Sequence, residues 1–250
     1  MSLTLMTYNI KNGGGGRLDA IARVIAGASP DIVAVQELRG EPALGSLTGL
    51  RPHIARSWRG QPVGLLTARR LRVLASGSVP RPFHHAAAWV RVATEAGPLT
   101  VVSAHLFPYW GRIRRTEARW LADFVKNQDA VLLGDFNSLD PFTDHSVQLA
   151  TLSLRYRRRH LHRVGARVDT RAMALLARRG LVDVFRRCGA GQAWTVPTTR
   201  GGGAEFIELR LDYMLATPPV AGRFTGCRVV TGGEAESASD HYPLVARVSN

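Results

Sequence analysis

Eight polar residues placed at or near the ends of apolar runs carry the chemistry legible in this chain: Asn9, Glu37, His105, Asp135, Asn137, Asp212, Asp240 and His241. Glu37 and Asp240 are hard oxygen donors, and the set contains no thiol. It therefore suits Mg2+ or Mn2+ better than zinc. Two histidines and two further carboxylates remain for proton transfer and charge stabilisation. A cation to screen a phosphate, a carboxylate to activate water and positive donors for the non-bridging oxygens are what phosphoester hydrolysis requires. Each residue also has an ordinary explanation. Asn9 precedes a glycine-rich turn and can cap it. Glu37 can be a solvated strand end, His105 a core histidine, Gly134-Asp135-Phe136-Asn137 an Asx turn and Asp240-His241 a polar loop tip. Asp212 is harder to dismiss, because it interrupts an apolar strand between Leu211 and Tyr213. An unpaired buried carboxylate there costs on the order of several kcal/mol.

The elements that must position these residues follow from periodicity. Residues 3–10 alternate as a strand ending in Tyr8-Asn9-Ile10, and a glycine-rich turn leads to helical spacing over 18–28. The continuous apolar run at 31–38 is a second strand ending in Gln36-Glu37, which completes a β-α-β unit. Strands are predicted over 64–68, 73–78, 88–93 and 100–106, the last ending in Ser103-Ala104-His105-Leu106. An amphipathic helix is predicted over 113–126, a short buried strand over 130–133 and a helix over 171–179 that stops at Gly180. Strand patterns recur at 209–215, 227–231 and 244–248, whereas 155–167 is basic, poorly periodic and reads as a loop. Asp135 and Asn137 are two residues apart, so on a strand they face the same side. The pattern fits an α/β protein with two sheets packed face to face and helices outside, in one domain over residues 1–250.

Composition bounds the partners. The chain carries a net charge of +14 and only two lysines, Lys11 and Lys126, the rest of its cationic residues being arginines. Such a field attracts phosphate-bearing partners, and the guanidinium fork matches phosphate geometry. With 45% hydrophobic residues the chain is not a disordered one, and it has no apolar run long enough to span a membrane. The N-terminus lacks a basic segment followed by an apolar one, and Cys188 and Cys227 are too few for a disulfide framework. The expectation is a cytoplasmic protein with free thiols, a monomer by default.

The pieces Thr7-Tyr8-Asn9-Ile10, Val35-Gln36-Glu37, Ser103-Ala104-His105-Leu106, Gly134-Asp135-Phe136-Asn137, Leu211-Asp212-Tyr213 and Ser239-Asp240-His241-Tyr242-Pro243 occur in one order along nearly the whole chain. In that order and spacing the sequence resembles the endonuclease/exonuclease/phosphatase superfamily, the DNase I-like fold. The resemblance implies a four-layer α/β sandwich of two mixed, mostly antiparallel sheets flanked by helices, with its site at the rim between the sheets. It also implies Mg2+-dependent phosphoester hydrolysis. Glu37 would be the main metal ligand, with Asp240 and Asn9 near the metal. Asp135 would position or deprotonate water, and Asn137 would help hold the phosphate. His241, oriented by Asp212, would stabilise the pentacovalent state. His105 would contact the phosphate or help protonate the leaving oxygen. The stretch around His105 looks more like the DNase I and sphingomyelinase branches than like the abasic-site endonucleases.

Substrate choice is open at this level. The run Arg155-Tyr156-Arg157-Arg158-Arg159-His160-Leu161-His162-Arg163 can border the rim and contact a phosphate backbone, with Arg157 and Arg158 as the candidate contacts. Phe107-Pro108-Tyr109-Trp110 can form an aromatic wall, with Tyr109 as its candidate contact, and Arg112, Arg114 and Arg115 follow on the same rim. A nuclease acting on DNA or RNA is the leading reading. An enzyme of the same chemistry acting on a phosphorylated small molecule or phospholipid is the alternative, and a non-catalytic nucleic-acid-binding protein the least favoured, since every expected catalytic position is filled.

Overall fold

The computed structural model describes residues 2–39, 42–162 and 167–249; Arg163, the end of the basic run, lies outside them. The strands are β1 (Ser2–Asn9), β2 (Ile32–Gln36), β3 (Arg51–Ala55), β4 (Val63–Thr67), β5 (Val73–Ser78), β6 (Ala87–Thr94), β7 (Gly97–His105), β8 (Ala130–Asp135), β9 (Val182–Asp183), β10 (Asp212–Ala216), β11 (Phe224–Val229) and β12 (Leu244–Ser249). The helices are α1 (Leu18–Ala28), α2 (Pro42–Thr48), α3 (Gly111–Phe124), α4 (Ser146–Ala150), α5 (Leu154–Arg157), α6 (Arg171–Arg178), α7 (Val184–Cys188) and α8 (Pro218–Ala221). One six-stranded sheet runs β11-β12-β1-β2-β4-β3 and the other β5-β6-β7-β8-β10-β9.

The strands that read as continuous apolar runs sit mid-sheet. Every residue of β2, β4 and β8 is buried, as expected for strands covered on both faces. Leu5, Val33 and Val35 of the first sheet pack with Val90, Val101 and Val131 of the second in one apolar cluster. Ile21 and Ile25 of α1 extend that cluster outward. On the far side, Leu121 of α3 and Leu176 of α6 cover Val102, Leu132 and Leu215. The result is the expected four-layer α/β sandwich.

Each sheet has one parallel pair near its middle, and these two pairs explain where the site lies. β1 and β2 run parallel with Asn9 opposite Gln36, and β7 and β8 run parallel with His105 opposite Asp135. Carboxyl ends of parallel strands are where α/β sheets build sites. β10 is antiparallel to β8, so its first residue, Asp212, lies opposite Asp135. β12 is antiparallel to β1 and begins opposite Thr7, so the segment leading into it, which holds Asp240 and His241, reaches the same rim. Chain direction alone thus gathers residues from six separate motifs.

Several boundaries differ from the sequence reading. The basic stretch predicted as a loop begins with α5 and a 3-10 turn over Arg158–His160. The pattern at 209–215 becomes a strand only from Asp212 on; Leu209 makes an isolated bridge to Val196. β3 has no apolar signature because it is a sheet edge, with Arg51 and Pro52 exposed. Among the described residues, no helix is long and apolar enough to cross a membrane.

Gly134, one residue before Asp135, has a φ of +149°, and a Cβ there would lie 1.9 Å from the Ala104 carbonyl oxygen in the adjacent strand. β7 and β8 therefore approach in a way that only glycine permits, and this fixes the carboxylate that follows. Gly134→Ala is expected to destabilise the fold by on the order of 3 kcal/mol, read from the midpoint of denaturant unfolding. A change under about 1 kcal/mol would show that the strands move apart freely and that the close approach fixes nothing.

Candidate active site

Asp135 is the hub of the rim. Its Oδ2 accepts from Asn9 Nδ2 at 3.1 Å and from Asn137 Nδ2 at 3.3 Å, while its Oδ1 accepts the Asn137 backbone N–H at 2.8 Å. His105 Nε2 lies 3.4 Å and His241 Nε2 3.9 Å from the same Oδ2. All five side chains are buried. Asn137 also donates to the Leu106 carbonyl at 3.0 Å, which ties it to the chain just past His105. Its φ of +46° is a left-handed conformation that asparagine tolerates better than most residues. Glu37 has φ +59°, for which a glutamate pays about 1 kcal/mol. The surrounding bonds hold it there nonetheless, a pattern typical of functional positions.

His241 faces Asp212 across the rim, with Nδ1 2.8 Å from Oδ2. Burial alone would lower the pKa of this imidazole; Asp212 first, then Asp135 and Asp240, outweigh burial and push it up to about 10. Burial raises the Asp212 carboxyl, and the imidazolium beside it works against that rise. The direction that governs the chemistry is that of His241, a fixed cation whose Nε2 is turned toward Asp135. Thr195 accepts the backbone N–H groups of Leu211 and Asp212, which anchors the start of β10.

Glu37 and Asp240 form the other end of the rim. Glu37 accepts from Asn9 Nδ2 at 3.3 Å, from the Asn12 backbone N–H at 2.7 Å and from Gln61 Nε2 at 2.8 Å. Asp240 Oδ2 pairs with Lys11 Nζ at 3.0 Å, and Ser239 Oγ bridges the Asn9 carbonyl and Asp240 Oδ1. Among the described residues, no group of three or more histidine, cysteine, aspartate or glutamate side chains is placed to hold a metal ion. The carboxylate oxygens of Glu37 and Asp240 are the hard donors that Mg2+ or Mn2+ takes, two ligands of a cation that keeps most of its waters. Asn9 turns its NH2 toward both Glu37 and Asp135, and its Oδ1 accepts the Lys11 N–H at 3.1 Å.

Beside His105, the His85 ring stacks parallel at 4.0 Å. Burial, then the neighbouring His105 and His84, push the His85 pKa far down and leave it neutral. Glu117 of α3 is buried and accepts the backbone N–H groups of His84 and Phe107, both at 2.8 Å. Burial pushes its carboxyl up to about 6 against those two hydrogen bonds.

The structure therefore brings together Asn9, Glu37, His105, Asp135, Asn137, Asp212, Asp240 and His241. The outer candidates stand apart. Arg112 and Arg158 are exposed, and Arg157 is half-buried with its Nε lacking a hydrogen-bond partner among the described residues. Tyr109 is exposed and meets Phe107 edge to face. Arg114 is not on the rim: it is fully buried and donates to the carbonyls of Phe107, Pro108 and Arg159. A signal for this was present, since Arg114, Glu117, Ala118 and Leu121 fall on one face of the helix. Nothing in the local sequence of Gln61 or Lys11 marks them as site residues, and Ser239 enters the sequence reading only as part of the Ser239-Asp240-His241-Tyr242-Pro243 piece, with no role of its own. Arg159, addressed below, stands beside Arg157 and Arg158 and could not be told from them by pattern.

Two mixed sheets in a four-layer sandwich, with carboxylates, amides and histidines converging at one rim, define a DNase I-like phosphoesterase. The chain belongs to the Endonuclease/Exonuclease/phosphatase family, whose sequence model matches residues 6–241. Among solved structures, it resembles an endonuclease/exonuclease/phosphatase from Bacteroides vulgatus, with a TM-score of 0.75 and 18% identity over 100% of this chain and 99% of that one. A mannosyl-6-phosphatase from Bacteroides thetaiotaomicron superposes with a TM-score of 0.71 at 17% identity, covering 99% of this chain and all of that one. A humanized D. rerio TDP2 gives 0.66 at 18% identity, covering 100% and 99%. At such identities the likeness is one of fold. No curated protein matches the chain in sequence.

Proposed function

We propose that this chain is a divalent-cation-dependent hydrolase of phosphodiester bonds in DNA or RNA, with residues 1–250 acting as one domain and as a monomer. The observation that carries the hydrolytic reading is the convergence on Asp135 Oδ2 of two amides and two imidazoles from four different segments. Glu37 and Asp240, with Asn9 between Glu37 and Asp135, would hold Mg2+ or Mn2+. When bound, the cation screens the phosphate charge and polarises a non-bridging oxygen. Asp135 orients a water and takes its proton. Asn137 and the His241 imidazolium donate to the phosphate oxygens as negative charge builds on them. Asp212 keeps His241 charged and fixes its ring. His105, buried with Nε2 toward Asp135 and its ring backed by neutral His85, stands where it can contact the phosphate or protonate the departing oxygen.

The net charge of +14 and the exposed Tyr109 and Trp110 beyond His105 support a nucleic-acid substrate. The free thiols of Cys188 and Cys227 suit a reducing cytoplasm. A second reading, hydrolysis of a phosphorylated small molecule, is favoured by the likeness to a structure described as a mannosyl-6-phosphatase. Salt separates the two. Nicking of supercoiled plasmid DNA with Mg2+ is expected to fall steeply as salt rises through counterion release. Absence of nicking, with salt-insensitive hydrolysis of a sugar phosphate by the same preparation, would replace the first reading with the second.

A further inference from the structure

Arg159 is the member of the basic run that the fold aims at the site. Its Nε donates to His160 Nε2 at 3.0 Å and its Nη2 to the Glu205 carbonyl at 3.1 Å. Its guanidinium lies 4.9 Å from the centroid of the Phe206 ring, and Phe206 meets the His241 ring edge-on at 5.9 Å. One aromatic ring therefore separates this cation from the imidazolium that faces Asp135. His160 is buried, and burial, then Arg159 and Arg114, keep it neutral, so its Nε2 is a fit acceptor for the guanidinium.

The backbone of Arg159 is fixed as firmly as its side chain. Arg114 Nη2 donates to the Arg159 carbonyl at 2.8 Å, while Arg114 Nη1 holds the carbonyls of Phe107 and Pro108 at 3.3 and 2.8 Å. A single buried guanidinium thus locks the segment after His105 to the segment carrying Arg159. Two other half-buried arginines, Arg171 and Arg210, are matched to acids, Asp169 at 2.7 Å and Asp183 at 2.6 Å, whereas Arg17 is held by the carbonyls of Lys11 and Ala238 and Arg91 by Thr100 and Gln128. Among the described residues, no carboxylate forms an ion pair with Arg159. Burial lowers its pKa, and the fields of Asp135, Glu205 and Asp240 favour its charged form. A guanidinium in this position is ordered before any substrate arrives, so little side-chain entropy is lost when it binds an anion.

We propose that Arg159 is a phosphate-binding residue of this site, holding a non-bridging oxygen of the substrate on the His241 side, and that Arg114 is the positioning residue that sets it there. This rests on the hydrolytic reading above and deepens it. The test uses the full chain with Mg2+ and reads two quantities: the affinity for inorganic phosphate by calorimetry, and kcat and KM on bis(p-nitrophenyl) phosphate. Arg159→Ala is expected to weaken phosphate binding at least about tenfold and to lower kcat/KM about 100-fold, with an unchanged melting temperature. Arg159→Lys should recover only part, since an ammonium cannot reproduce the fork. Added methylguanidinium should restore part of the activity of Arg159→Ala, a rescue that a purely structural role would not give. Arg119→Ala, which removes an exposed charge from α3, should match the wild type. Phosphate affinity unchanged in both Arg159 variants, or a wild-type chain that binds no phosphate, overturns the proposal. A wild-type chain that binds phosphate through Arg159 yet cleaves no ester would instead sink the hydrolytic reading alone. If Arg159→Ala melts early, the Arg159→Lys affinity and the methylguanidinium response decide.

Discussion

Asp135→Asn is expected to lower kcat for phosphodiester hydrolysis about 1,000-fold and to leave the fold in place. The substitution keeps size and shape, and an amide carbonyl can still accept the Asn137 N–H that now reaches Oδ1. What disappears is the negative charge toward which Asn9, Asn137, His105 and His241 are all turned. Without it, the carboxylate assigned to take a proton from water is gone. Circular dichroism should show native structure, and a variant that keeps more than about a tenth of wild-type kcat would remove Asp135 from the proton-transfer step.

Asp212→Asn acts through charge on a neighbour rather than through loss of a base. With Asp212 in place His241 has a pKa of about 10, so it is a cation across the neutral range. Without the carboxylate, burial is opposed only by the weaker fields of Asp135 and Asp240, and the pKa falls. The expected outcome is a pH-dependent deficit: small in mild acid, growing as pH rises, and reaching about 100-fold by mildly alkaline pH. The wild-type alkaline limb should lie near pH 10. Stability carries the same sign. The raised pKa contributes stability that is fully present below pH 6.5 and is lost as pH rises through about 10, because the unfolded state gives up its proton first. Asp212→Asn should flatten that decline. Parallel pH profiles for variant and wild type, in rate and in stability, would show that Asp212 does not hold His241 charged.

Much of this site was readable because the fold places its chemistry at strand ends. Asn9, His105 and Asp135 end their strands and Glu37 follows one directly, so apolar runs point to them. Asp212 betrays itself by breaking an apolar run. Sequence does not show chain direction in space, and it is the parallel pairing of β1 with β2 and of β7 with β8 that brings the four ends together. Residues that act through a long side chain were less legible. Arg159 shares a 3-10 turn with Arg158, and only its tertiary contacts with His160, the Glu205 carbonyl and Phe206 tell the two apart, contacts that a run of consecutive arginines does not reveal. Arg114 reads as a rim residue with Arg112 and Arg115, although it shares a helix face with Glu117, Ala118 and Leu121; the partners that satisfy it when buried, the carbonyls of Pro108 and of the distant Arg159, are set by the fold. β3 escaped notice because an edge strand needs no apolar face pattern.

The central claim is that this rim hydrolyses phosphodiesters with a divalent cation held by Glu37 and Asp240. The most direct test is a Mg2+ titration of chelator-stripped protein on bis(p-nitrophenyl) phosphate, run for the wild type and for Glu37→Gln. The account expects no turnover after stripping, recovery with Mg2+ or Mn2+, and a half-saturating cation concentration raised about tenfold or more in Glu37→Gln. Equal turnover in chelator and in Mg2+, or identical titrations for the two proteins, would contradict it.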